Sequence, residues 1–341
     1  MKSISIILDN KYRNNTQIDL PLWVYKIINY EYWPWWTLYV LLIPYYLYLA
    51  IKAKSLVFFS NVNPGLENSG FKNYSKFEVL KKLPTELYPH TCLIENKNCD
   101  FKHEIDFPCI LKPDIGERGK GVSLIRDFNE FNAYLANADE RVIYQDFANY
   151  PYEATIFYVR LPFQKSGNIT SFTTKQFLCV EGDGVSTVKD LLMADKRGAM
   201  QIPRLDLKIL TVVPGIGEVF QVEPIGNHCR GTKFVNANHL ISPDLINSFD
   251  AICKSIEGFN YGRFDLKYKS LEDLRLGKNF KVVELNGVSA DPAHIFDQST
   301  GLSGSIKAII EHWKAMAIIS IENTKRGIRP VTVSAILKLL S

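Results

Sequence analysis

Two short segments in the last third of the chain, YGRFDLKY and FKVVELN, alternate polar and apolar residues with the two-residue period of a strand. That alternation sets Arg263 and Asp265 on one face of their strand, and Glu284 and Asn286 on one face of theirs. The connection SLEDLRLGKN is charged and reads as a turn. If the strands are antiparallel neighbours, three oxygen-bearing side chains converge with a guanidinium beside them. Hard oxygen ligands on a partly open site suit Mg²⁺ carrying nucleotide phosphates. Arg263 is then placed to stabilise charge on a transferring phosphoryl group. A solvated surface hairpin is the plainer alternative. Glu284 and Asn286 interrupt VVELNG just before a Gly-containing loop, which weighs against it.

A second constellation lies upstream in ILKPDIGERGKGV, with Lys112, Pro113, Gly116, Arg118, Gly119 and Gly121. A lysine at a strand end can meet phosphates as a fixed cation, and glycines let backbone N–H groups approach them. The segment is not a Walker A loop, because G-K-[ST] is absent, nor a Rossmann fingerprint, because the spacing is G-x-x-G-x-G. Alone, a Gly-rich hairpin between strands is more often a plain turn.

From Phe107 onward, strand-like runs, Gly-rich turns and capped helices alternate. PCILKP, VSLI, RVIYQDF, EATIFYVRLPF and ITSFTTKQFLCV read as strands, and SLVFF (55–59) as an earlier buried one. Asp127 with Glu130 forms a capping box for FNEFNAYLANA. Ser242 and Pro243 open a helix with apolar residues at helical spacing, which Gly258 ends, and a last apolar helix covers about 305–321.

Residues 32–51, YWPWWTLYVLLIPYYLYLAI, carry no charge, with Glu31 before them and Lys52 and Lys54 after. About 20 uncharged residues match a membrane span, but Pro34, Pro44 and the dense Tyr and Trp content fit the headgroup region better. Three readings stand: a helix lying in a membrane interface with the lysines toward phosphates, a span, and an apolar helix packed on the body. The N-terminal MKSISIILDN lacks a signal-peptide pattern. The six cysteines show no metal-ligand spacing and read as free intracellular thiols. A cytoplasmic active site is expected, attached to the cytoplasmic face of a membrane if 32–51 binds one. The net charge of +4 without a Lys/Arg-rich run argues against a nucleic-acid partner.

Taken together and in order, ILKPDIGERGKGV, IYQDF, PYEATIFYVR, VEGDGVSTVKDLL, GRFDLK and VVELNG resemble the ATP-grasp superfamily of carboxylate–amine ligases. The likeness runs from about Lys76 to about Lys307. GDGVST is similar to a segment of cyanophycin and glutathione-type synthetases, and the region also resembles the D-alanine–D-alanine ligase branch. The resemblance implies an α+β fold with two subdomains gripping ATP, and Mg²⁺, or Mn²⁺ in its place, as the metal. It implies Lys112 as phosphate-binding and, with Arg263, catalytic, and Gly116 to Gly121 as the loop over the triphosphate. It implies Gln145, Asp146 and Phe147 around the adenine, Glu153, Lys175 and Lys76 on the nucleotide side, and Asp265, Glu284 and Asn286 as metal ligands. The implied reaction joins a carboxylate to an amine through an acyl phosphate. For the substrates, Arg204 and Arg230 are candidates to bind a carboxylate. His294 and Asp291 are candidates to take a proton from the amine, and His228 lies in the same set of loops.

The expected organisation is an N-terminal segment (1–54), a shortened lobe (55–106), an ATP-grasp domain (107–322) whose lid is about 107–148, and a tail (323–341). The shortened lobe normally contributes much of the substrate pocket, so D-alanine does not follow as substrate. An amphiphilic or lipid-linked carboxylate or amine is the alternative that the aromatic segment points to, and a homodimer is compatible with the sequence. A kinase that stops at the phosphorylated product and a non-catalytic ATP-binding module are the rival functions.

Overall fold

A computed structural model describes residues 20–34, 36–95, 105–116, 119–138 and 140–340. Arg118, Cys99, Trp35 and the first 19 residues lie outside the described residues. Among the described residues, eleven strands follow in chain order: β1 (Thr91–Ile94), β2 (Cys109–Pro113), β3 (Ser123–Ile125), β4 (Val142–Asp146), β5 (Tyr152–Val159), β6 (Asn168–Gln176), β7 (Cys179–Glu181), β8 (Val219–Gln221), β9 (Lys233–Asn236), β10 (Tyr261–Tyr268) and β11 (Phe280–Asn286). They form sheets ordered β1-β4-β2-β3, β11-β10-β5-β6-β9 and β7-β8. The fold is α+β, as the sequence predicts.

Two units emerge from the packing. The larger comprises the described residues of 36–174 and 235–340, the smaller those of 20–34 and 175–234. The chain therefore leaves the larger unit within β6 and returns to it within β9.

In the larger unit, β2 pairs antiparallel with β3 and β4, and β4 with β1. Helix Phe128–Ala136 covers this sheet, and Phe131 joins Cys109, Leu111, Ile125, Val142 and Tyr144 in its core. Asp127 caps the helix through the Glu130 N–H at 2.9 Å, while Glu130 reaches back to the N–H of Arg126 rather than that of Asp127. β1 lies within the stretch assigned by sequence to the shortened lobe, yet it extends this small sheet. It does so because Thr91 to Ile94 pair in register with Val142 to Gln145.

The central sheet is covered on both faces. Phe264 and Leu266 of β10 and Val282 of β11 point toward helix Pro243–Ser255, meeting Leu245, Phe249 and Cys253. Ser242 caps that helix through the Leu245 N–H. On the opposite face Phe157, Val159 and Tyr261 pack with Met316, Ala317 and Ile319 of helix Gly301–Lys325.

Helix Ile43–Ala53 packs on the same cluster through Leu49, Ala50 and Ala53, with Tyr46 edge-on to Trp313. The 32–51 stretch is thus broken into a short helix Trp36–Val40 and this longer one, which starts with Pro44 in its first turn. No described helix is long and apolar enough to cross a membrane.

The expected strand at 55–59 is not one. The chain turns there into the 3-10 helix Phe58–Asn61, with Phe58 fully buried. Asn323 and Asn61 tie the turn to the long helix by side-chain bonds, which meet the backbone needs that a ladder would otherwise serve.

In the smaller unit, β7 and β8 pair antiparallel and share a core of Val180, Val188, Leu192, Leu210 and Val222. Thr187 and Asp190 form a reciprocal capping box that starts helix Val188–Met193.

Candidate active site

β10 and β11 pair antiparallel with Asp265 opposite Glu284 and Arg263 opposite Asn286, so all four side chains share one face. This is the convergence that the two-residue period predicts. Arg263 donates from Nε and Nη2 to Asp265 Oδ2 at 3.2 and 3.1 Å, and from Nη1 to the Asp291 carbonyl at 3.3 Å. Asn286 Nδ2 donates to the same Asp265 oxygen at 3.1 Å. The Tyr74 hydroxyl donates to Asn286 Oδ1 at 3.1 Å.

Gly287, directly after Asn286, fixes where β11 stops. A Cβ there would sit 2.2 Å from the Ser69 carbonyl oxygen, so no larger residue fits this close approach. Val288 N–H donates to that carbonyl at 3.1 Å.

Two lysines arrive from other elements. Lys112, at the end of β2, is buried and donates from Nζ to Gln145 Oε1 at 3.0 Å and to the Val283 carbonyl at 2.9 Å. Lys76, at the start of helix Lys76–Leu80, pairs with Glu284 at 3.0 Å. That helix begins at Ser75, whose hydroxyl accepts from the Glu78 N–H. It is also held by Asp114, which accepts from Ser75 Oγ at 2.9 Å and from the Phe77 N–H at 3.0 Å.

The charges shape one another. Burial pushes the Lys112 ammonium down to about 8, helped by the Lys76 charge and opposed by Glu284, Asp265 and Asp114. Burial alone would raise Glu284, but Lys76, Lys112 and Arg263 outweigh it and hold the carboxyl well below its usual range. Burial likewise disfavours the Arg263 charge, and Asp265 and Glu284 overcome it. Among the described residues no three His, Cys, Asp or Glu side chains gather as a metal cluster. The oxygen donors here are instead two carboxylates and one amide. That set fits a magnesium ion that keeps several waters and binds phosphate as well.

The remaining expected residues distribute as follows. Gly119 and Gly121 adopt positive φ, and a Cβ on Gly121 would fall 2.7 Å from Pro113 Cγ; Gly116 needs neither condition. Asp146 accepts from the Tyr144 hydroxyl at 2.8 Å, and the Phe147 ring lies under Lys267 Nζ at 4.1 Å. Glu153 is buried on β5 opposite Lys267. His294 is buried with Nδ1 2.8 Å from Ser171 Oγ, and burial lowers its basicity.

Lys175, Arg204, His228 and Arg230 belong to the smaller unit. There, Arg204 donates to Gln201, Glu223 and the Arg230 carbonyl, and Arg230 also lies 3.6 Å from Glu223. His228 and Arg197 both face the buried Glu31, and Lys175 lies over the Phe234 ring. The guanidinium of Arg204 thus donates to three partners inside the protein.

Sequence reasoning missed Tyr74, Asp114 and the side-chain role of Gln145. Asp114 directly follows the Lys-Pro pair and Tyr74 stands two residues before Lys76, but neither spacing identifies its long-range partner.

The chain is similar to solved structures of carboxylate–amine ligases. A D-alanine–D-alanine ligase from Bacillus anthracis matches over 74% of this chain and 67% of that one, at 17% identity and a TM-score of 0.42. VanG D-Ala:D-Ser ligase from Enterococcus faecalis matches over 76% and 63%, at 10% identity and a TM-score of 0.37. A bifunctional glutathione synthetase from Pasteurella multocida matches over 72% and 35%, at 13% identity and a TM-score of 0.33. The chain therefore spans about a third of that synthetase and about two thirds of the two ligases. No family model and no curated protein sequence matches it.

Proposed function

We propose that this chain is an ATP- and magnesium-dependent ligase that joins a carboxylate to an amine through an acyl phosphate. One observation carries the reading: Lys76, Lys112 and Arg263 surround the Asp265, Glu284 and Asn286 oxygen set on a single sheet face. Three cations with two carboxylates leave a surplus for a triphosphate.

Asp265, Glu284 and Asn286 would hold magnesium, whose chemistry when bound is to neutralise and orient phosphate oxygens. Lys112 and Lys76 bind the phosphates, and Arg263 faces charge that develops on the transferred group. A carboxylate oxygen of the substrate attacks the γ-phosphorus, and the bond to the β-phosphate oxygen breaks to release ADP. The amine nitrogen then attacks the acyl carbon, phosphate leaves, and the amine loses a proton.

The test is ADP and phosphate release with Mg²⁺-ATP across a panel of carboxylates and amines, beside Glu284→Gln. Release that needs one carboxylate and one amine, and fails in the variant, supports the ligase. A stable phosphorylated product formed from one substrate alone overturns it in favour of a kinase.

A second element of the reading concerns location. Val40, Leu41, Ile43, Leu47 and Ile51 are exposed, although the same segment buries Leu49 and Ala50. Lys52, with Nζ 4.6 Å over the Tyr48 ring, and Lys54 close the stretch. An apolar face ending in lysines fits an anionic membrane surface, with an amphiphilic substrate presented there.

A further inference from the structure

The last described helix, Val333–Leu340, is apolar on more than the face it packs. Ile336 is 5% exposed and turned to the protein, while Leu337 beside it is 60% exposed. Val333, Leu337 and Leu340 recur at i, i+4 and i+7 and form one exposed stripe. Only Ser334 and Lys338 are polar in this helix.

This helix and helix Ile43–Ala53 flank the same turn of the larger unit. Tyr46 of the earlier helix donates to the Leu56 carbonyl at 2.7 Å, and the Leu56 side chain is exposed. Just beyond, Ser60 Oγ accepts from the Val331 N–H at 3.0 Å, and Asn61 Nδ2 donates to the Ile328 carbonyl at 2.7 Å. The exposed Leu47 and Ile51 of one helix and the exposed Val331 and Val333 leading into the other are thus joined through residues 56–61.

Charge singles out the same two stretches. Residues 36–56 and 322–340 together hold six basic side chains and one acidic one, Glu322, whereas the whole chain is net +4. The rest of the chain is therefore net negative. Glu322 pairs with Lys325, and Arg329 is exposed. An exposed aliphatic stripe in a basic, carboxylate-poor surface is complementary to a bilayer with anionic headgroups. A second copy of the chain would bring like charge to the same place.

We infer that helix Val333–Leu340 is a second membrane-contacting element, lying in the interface of an anionic bilayer. Val333, Leu337 and Leu340 enter the acyl boundary, and Arg329 meets the lipid phosphates. The inference rests on the membrane location proposed above and extends it from one helix to two. Asn73 relates the helix to the candidate site. Its Nδ2 donates to the Leu339 carbonyl at 3.0 Å, and it directly precedes Tyr74, which holds Asn286, in the segment that leads to Lys76. The docked helix thus stands next to the loop that serves the site, which suits an amphiphilic substrate.

The test is co-sedimentation of the full-length protein with phosphatidylcholine vesicles, with and without phosphatidylserine, at fixed ionic strength and without nucleotide. Wild type should bind the serine-containing vesicles more tightly. Leu337→Ser should weaken binding by about tenfold, the loss of one buried leucine side chain. Arg329→Ala should weaken it by about fivefold, and on the anionic vesicles only. Leu337→Trp should retain binding, because indole favours the headgroup region, and its added fluorescence should be quenched by lipids brominated in the acyl chain. Both positions are exposed, so urea midpoints should not move.

Unchanged binding by Leu337→Ser or by Arg329→Ala overturns the inference, as does binding indifferent to phosphatidylserine. Binding lost in Leu47→Ser but intact in Leu337→Ser would keep the first helix on the membrane and remove this one. A dimer that Leu337→Ser dissociates, with no vesicle binding, would make the stripe an interface between copies and also overturn the inference. No readout involves turnover, so the ligase reading stands or falls separately.

Discussion

Asp114 accepts a hydrogen bond from the Phe77 backbone N–H at 3.0 Å, so the loop that follows Lys112 grips the helix that carries Lys76. The fully buried Asp114 also pairs with Arg141 at 3.3 Å. Replacing it by Ala removes two hydrogen bonds and one ion-pair partner at once. We expect Asp114→Ala to destabilise the fold by about 2–4 kcal/mol, more than the ~0.5–2 kcal/mol of Ser75→Ala, which removes the cap at the same helix start. Urea denaturation of the two variants ranks them, and equal losses would contradict the clamp.

Lys112 gives a pH dependence with two opposite signs. Its ammonium titrates near 8 in the free protein, and phosphate favours the charged form. ATP affinity is therefore expected to be flat below about pH 7 and to weaken above pH 8, by at most about tenfold per unit for one proton. Free-protein stability runs the other way. The folded value is lowered below the unfolded ~10.4, so the unfolded chain holds more protons between these values and stability rises across that window. Lys112→Arg, which keeps its charge throughout, should abolish the break in the ATP binding profile.

Glu284 is the carboxylate that Lys76 holds at 3.0 Å. Glu284→Gln keeps the shape and removes the charge. Turnover should fall by about 10²–10³, the size of one lost electrostatic contact to the transferring group. Direct nucleotide binding by fluorescence separates this loss from a loss of affinity.

In helix Ile43–Ala53, two leucines two residues apart have opposite tasks. Leu49 is 4% exposed and Leu47 is 45% exposed. Leu49→Ala should cost about 2–5 kcal/mol of folding stability. Leu47→Ser should stay within about 0.5 kcal/mol and instead reduce sedimentation with anionic liposomes, together with Lys52→Glu. Liposome binding that neither exposed substitution weakens would remove the membrane from the reading.

Arg204 tests the smaller unit. Its donors end on Gln201, Glu223 and the Arg230 carbonyl, and Glu223 is nearly fully buried. Arg204→Ala leaves that carboxylate with the Ile225 N–H and the more distant Arg230, and should lower stability by about 3–5 kcal/mol. A change confined to the KM of a substrate carboxylate would assign Arg204 to the substrate.

Much of the site was legible because strand alternation is a rigid rule. Once β10 and β11 were placed, the shared face of Arg263, Asp265, Glu284 and Asn286 followed without knowledge of the rest. Lys112 was legible for a similar reason, standing at a strand end before a Gly-rich loop. Tyr74 and Asp114 were not, since their partners lie 212 and 37 residues away and no local period encodes such contacts. The apolar run at 55–59 was misleading because burial is common to a core strand and a core turn. Side-chain bonds from Asn61 and Asn323, distant in sequence, decide between them. Residues 32–51 held the hardest ambiguity, and composition alone could not say which half of the helix faces the body.

The cations of the candidate site are all latched to the protein itself: Lys112 to Gln145 and the Val283 carbonyl, Lys76 to Glu284, and Arg263 to Asp265. On the proposed function, an entering triphosphate would not meet bare charge. It would change partners with oxygen atoms already in position, and the carboxylates it released, Glu284 and Asp265, are those that would serve the metal. Nucleotide and metal would then be admitted by one exchange, and by reciprocity each would raise the affinity for the other.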